Sequence, residues 1–166
     1  PGTHAMIEAA PNLIQGHARQ TPVLALPRGA LGGDWVPVFK LELVQHAGSF
    51  KARGAFNNLL SRTVPPAGVA AASGGNHGAA VAYAAMKLRR FGAEVVIGGA
   101  RYDDAQAACD ADVAASGAMR IHPFAAPETM AGQGTLAREW DQQAPVDSAL
   151  IAVGGGGLIG GAASWW

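Results

Sequence analysis

Charge is scarce in this sequence. Aspartate, glutamate, lysine and arginine make up 14% of its 166 residues, 12 of each sign, so the formal net charge is zero. The charged residues are scattered mostly singly. No basic run or stripe marks a nucleic-acid or membrane-surface binder, so neither is expected as a partner. The one cysteine, Cys109, cannot form an intramolecular disulfide and points to a reducing compartment. It lies in the alanine-rich run 105–115, where small core packing explains it better than nucleophilic chemistry. No apolar run reaches membrane-spanning length, and the N-terminus lacks the basic-then-apolar order of a secretion signal, so a soluble cytoplasmic protein is expected. His4, His17, His46 and His122 show no metal-ligand spacing with one another or with carboxylates, and no metal is assigned.

Glycine, by contrast, is abundant, with 23 residues, and 49% of the chain is hydrophobic. A helical pattern over 7–19 stops before Thr21-Pro22, and strands over 22–26 and 35–43 flank the turn 29–34. A helix runs from Ser49 to about Arg62. The short apolar run 69–72 empties into Ser73-Gly74-Gly75-Asn76-His77-Gly78 and a helix over 79–88. A strand at 94–97, a helix at 103–116 and a strand at 119–122 closed by Pro123 follow. Next come a loop at 124–134, a helix at 135–143 and a strand at 149–153. That last strand empties into Gly154-Gly155-Gly156-Gly157, and a helix opens at Leu158. Strand, glycine turn and helix in this rhythm predict an α/β fold with parallel strands.

Three stretches carry chemistry. The first is Gly154–Gly157, four glycines between a strand and a helix. Their amides can turn inward to form an anion nest at a helix N-terminus, and phosphate is the natural guest. A tight turn needing close packing would also use glycine, though four in a row cost much chain entropy. Gly155, Gly157 and Gly160 also fit the dinucleotide fingerprint, but the acidic residue expected about twenty positions on is not in this sequence. No Lys-Ser/Thr pair follows, so a nucleotide P-loop is excluded. The second stretch is the turn 73–78, whose amides suit a carboxylate. Asn76 there can hold a phenolate or hydroxyl oxygen. His77 fits an acid, a base or a donor as readily as a hydrogen-bonded structural residue. The third is Lys51, expected in the first turn of a helix capped by Ser49. The helix dipole disfavours a cation there, so a depressed pKa and a nucleophilic amine are the functional reading; a solvated surface lysine is the bland one. An amine, a phosphate nest and an asparagine-bearing turn together suggest a lysine that forms a Schiff base with pyridoxal 5'-phosphate.

The motifs Ser49-Phe50-Lys51-Ala52-Arg53-Gly54-Ala55, Ser73-Gly74-Gly75-Asn76-His77-Gly78 and Gly154–Leu158 resemble, in order and context, those of threonine/serine dehydratases. These belong to the tryptophan-synthase-β-like (fold type II) pyridoxal-phosphate enzymes. His122-Pro123-Phe124 and Ala131-Gly132-Gln133-Gly134-Thr135 look like the same branch. The resemblance covers nearly the whole chain. It implies parallel three-layer sheets, with 1–48 and 146–166 as a partial large cofactor-binding domain. Residues 49–145 would be a small domain missing a segment near 88–89. It implies Lys51 as the Schiff-base and catalytic lysine, Phe50 beside the cofactor ring and Asn76 on the ring hydroxyl. It implies Gly154, Gly155, Gly156, Gly157 and Leu158 for the phosphate, and Ser73, Gly75, Asn76 and His77 around the substrate carboxylate. The relatives continue past the glycine loop, into a part that supplies the contact to the pyridine nitrogen. Similar racemases place a serine after Ser73; the residue here is Gly74, which favours elimination over racemisation. The activity implied is β-elimination on L-threonine or L-serine, giving a 2-oxo acid and ammonia, with a homodimer an assembly the resemblance allows. A non-catalytic remnant is the alternative, and a dinucleotide-binding module is a weaker one, because it leaves Lys51 and the Asn76 turn unexplained.

Overall fold

The computed structural model describes residues 3–73, 75–88 and 102–166. Six helices and four short strands are seen among them: α1 (Thr3–Ile14), β1 (Val23–Ala25), β2 (Val38–Lys40), α2 (Lys51–Ser61), β3 (Val69–Ala70), α3 (Asn76–Lys87), α4 (Tyr102–Ser116), β4 (Met119–Arg120), α5 (Pro127–Gln143) and α6 (Gly157–Trp165). β3 and β4 pair in parallel, Val69 against Met119, with α3 and α4 in the intervening chain. This is the expected α/β connection. β1 and β2 instead form an antiparallel hairpin, Val23 against Lys40. None of these helices is long and apolar enough to cross a membrane.

Three expectations need correction. The strand expected over 35–43 is three residues long, because the chain tightens into 3-10 turns at Glu42–Val44 and His46–Gly48. The expected loop 124–134 is helical from Pro127 onward. Pro127 sits in the first turn, where its missing N–H would have no partner anyway and its fixed φ suits the helix. Residues 149–153 pair with no described strand, and Leu150 is 95% exposed. An extended segment needs a hydrogen-bonded neighbour to become a strand, and none of the described strands lies beside it. Gly74 and residues 89–101, with the expected strand 94–97, lie outside the described residues.

The core is helical. Phe56 and Leu59 of α2, Val81 and Ala84 of α3, Ile14 of α1, and Met119 and Ile121 at β4 form one apolar cluster. α5 packs between α2 and α6 through glycines. A Cβ added at Gly132 would lie 2.7 Å from the Gly54 Cα, and one at Gly134 would lie 2.9 Å from the Gly161 carbonyl oxygen. Close backbone approach of this kind admits no side chain. Asn57 and Asn58 fasten the same seam, donating to the Glu128 carbonyl and to Thr129 Oγ1 at 2.8 Å each.

Candidate active site

α2 begins just after two left-handed residues, Ala47 at φ 57° and Gly48 at φ 71°. Ser49 is extended and Phe50 already has helical dihedrals. The expected Ser49 cap is therefore absent. The capping position falls one residue later, on Phe50, which has no acceptor, and the buried Ser49 Oγ has no partner. Lys51 is the first residue of α2, and its Nζ donates to the Pro123 carbonyl at 2.6 Å. The Phe50 ring centre is 5.3 Å from that nitrogen. Among the described residues Lys51 has no carboxylate partner. Burial pushes its pKa below the ordinary 10.5, because an ammonium loses more hydration than an amine does.

The turn before α3 brings Ser73, Gly75, Asn76 and His77 together. Ser73 Oγ accepts from the Gly75 amide at 3.1 Å, and Asn76 is exposed at the helix start. His77 is 5% exposed, with Nε2 2.8 Å from the Ile121 carbonyl oxygen. A carbonyl only accepts, so Nε2 carries the hydrogen. Burial, reinforced by the nearby Lys51 and His122, pushes the His77 pKa to about 4. His77 is therefore a neutral imidazole at neutral pH.

The four glycines stand at the start of α6. Gly156, at φ 85°, takes the left-handed conformation directly before the first helical residue, Gly157. One side of the loop is packed and the other is open. A Cβ at Gly157 would meet Gln133 Oε1 and the Phe124 Cα, each at 2.7 Å, and one at Gly155 would collide with the Phe124 ring. At Gly154 and Gly156 a Cβ would meet nothing within 4 Å. An open glycine face ahead of a nine-residue helix with no side-chain cap is a cradle for an anion.

These parts converge on residues 121–124, which follow β4. Ile121 bonds His77, and the Pro123 carbonyl accepts from both Lys51 and Gln133 Nε2, the latter at 3.3 Å. Phe124 seats the glycine loop. The only sequence signals of this hub were Pro123, as the end of a strand, and the His-Pro-Phe motif. A second feature went unforeseen. Arg53 is 1% exposed and bonds Glu42 (Nη2 to Oε1, 2.8 Å) and Glu139 (Nη1 to Oε2, 2.9 Å). Lys40 and Thr21 also bond Glu139. Burial alone would raise the Glu139 pKa, but bonds from Arg53 and Lys40 outweigh it and hold the carboxyl below its ordinary value. This network lies under α2 and fixes the helix that bears Lys51.

A desolvated, carboxylate-free amine and an open glycine cradle meeting on one segment fit a phosphorylated aldehyde. A family model described as pyridoxal-phosphate dependent enzyme matches residues 14–89 and 85–165. The chain belongs to that family, with pyridoxal phosphate as cofactor, and resembles its threonine/serine dehydratase branch of fold type II. It is 40% identical to the phenylserine dehydratase of Ralstonia pickettii over 149 residues, 74% of this chain and 44% of the relative. It is also 40% identical to an L-threonine ammonia-lyase of Geobacter sulfurreducens, over 78% of this chain and 38% of the relative. Maize serine racemase superposes with a TM-score of 0.87 at 30% identity, over 97% of this chain and 57% of that one. The chain thus spans about half the length of the relatives it matches, or less.

Proposed function

We propose that this chain carries the lysine, phosphate loop and substrate turn of an ammonia-lyase that β-eliminates a hydroxy amino acid, L-threonine or L-serine. The observation that carries this reading is the convergence of Lys51 and the glycine loop on residues 121–124. Residues 49–145 are taken as the small domain, and 1–48 with 146–166 as part of the large one.

When bound, pyridoxal phosphate supplies an aldehyde for the lysine and a conjugated ring that delocalises the electrons left at the substrate Cα. The amides of Gly154 to Leu158 would hold the phosphate, Phe50 would flank the ring and Asn76 would donate to its hydroxyl. Lys51, already desolvated, would be the base that takes the α-proton on Nζ. The Ser73, Gly75, Asn76 and His77 turn would receive the substrate carboxylate, with neutral His77 adding no positive charge of its own. Gly74 offers no side chain for proton transfer, which favours elimination; serine racemase among the relatives makes racemisation the reaction to test against.

The test is the absorption spectrum of the purified chain with pyridoxal phosphate, before and after borohydride. A visible band that reduction converts into a label on the Lys51 peptide supports the assignment, and Lys51→Ala should lose both the band and threonine or serine turnover. Turnover that survives Lys51→Ala sinks the mechanism. A folded chain that shows no band favours the non-catalytic remnant. Racemised serine in place of a 2-oxo acid would move the chain to the racemases.

A further inference from the structure

Gln133 has no assigned role, yet it is completely buried, at 0% exposure. The glycines on either side of it explain how it gets there. Gly132 lets α5 approach α2 at Gly54, and Gly134 lets it approach α6 at Gly161. The one long side chain between those contacts projects into the space between the Lys51 helix and the glycine loop. Its Nε2 donates to the Pro123 carbonyl, the same oxygen that accepts from Lys51 Nζ. Its Oε1 has no partner and faces Gly157 at the first turn of α6. A buried amide oxygen left unpaired costs stability, so an apolar residue of similar volume would serve packing at least as well.

We propose that Gln133, packed against Gly157 of the glycine loop, is a positioning residue that sets the Lys51 amine by sharing the Pro123 carbonyl with it. The inference rests on the reading of Lys51 as the cofactor-bearing amine. A carbonyl that already accepts from an amide binds an ammonium less strongly. Gln133 therefore weakens the Lys51–Pro123 hydrogen bond, which stabilises charged Lys51, and it fixes where that nitrogen sits.

The test is the pH profile of Lys51 reactivity in the cofactor-free chain, measured by reductive methylation with formaldehyde and cyanoborohydride and mapped by mass spectrometry. Exposed Lys87 is the internal reference. In Gln133→Met the Lys51 midpoint should move to higher pH and its labelling at neutral pH should fall about threefold. Lys87 should be unchanged, and the melting temperature should hold or rise. An unmoved Lys51 profile in the folded variant overturns the proposal. So does loss of the fold in both Gln133→Met and Gln133→Leu, which would make Gln133 a structural residue. Failure of the parent reading shows separately: borohydride with pyridoxal phosphate would then leave no label on Lys51 in the unsubstituted chain.

Discussion

Burial holds His77 neutral, although its bond to the Ile121 carbonyl favours the charged form, and the net depression costs stability in acid. Its pKa in the fold is about 4 against an ordinary 6.5. Between those values the unfolded chain holds a proton that the folded one refuses, so stability is full above 6.5 and declines as pH falls toward 4, by about 3 kcal/mol at most. His46 and His122, also depressed by burial, act in the same direction. Urea midpoints measured across this range should fall less steeply in His77→Gln than in the parent chain. Ala47 offers a second test at this scale. It is a left-handed residue with a Cβ, so Ala47→Gly should raise stability by about 1 kcal/mol, read as a higher urea midpoint.

The helices show what the sequence could and could not announce. Helix α2 and the turns ahead of α3 and α6 were legible, because glycine and periodicity are local signals. The start of α5 was not: Pro127 and two glycines look like a loop, and only contact with α2 and α6 reveals why glycine is needed there. The Arg53 network was equally hidden. A lone arginine beside alanine and glycine gives no sign that Glu42 and Glu139 approach it from other segments. Lys51 was singled out in the sequence for a partly mistaken reason. Its depressed pKa comes from burial, and the Ser49 cap invoked to place it does not exist. At this scale Gly132→Ala should cost about 1–3 kcal/mol or more, because the Cβ meets backbone that cannot rotate aside. Thermal unfolding checks this, and an unchanged midpoint would mean that α5 can shift away from α2.

For the molecule as a whole, Arg53 is the charge whose loss matters most. Arg53→Met leaves the half-buried Glu42 and Glu139 with Lys40 as the remaining cation in the network, and should cost about 3–5 kcal/mol. Because the Glu139 pKa lies below its ordinary 4.5, the stability this group contributes is present above that value and is lost as pH falls below it. Acid unfolding of the parent chain should therefore steepen below pH 4.5, and the steepening should be weaker in Arg53→Met, where only Lys40 still bonds Glu139 among these cations. Equal acid sensitivity in the two chains would show that the network does not govern the fold.

The bond from Lys51 to Pro123 joins residues 72 apart, and the one from Thr21 to Glu139 joins residues 118 apart. Contacts so distant along the chain require large loops to close before any interaction offsets the lost entropy. Refolding should accordingly be slow for a mostly helical chain of this size, with helix signal recovering well ahead of Lys51 protection. The amine would be the last thing the chain hides.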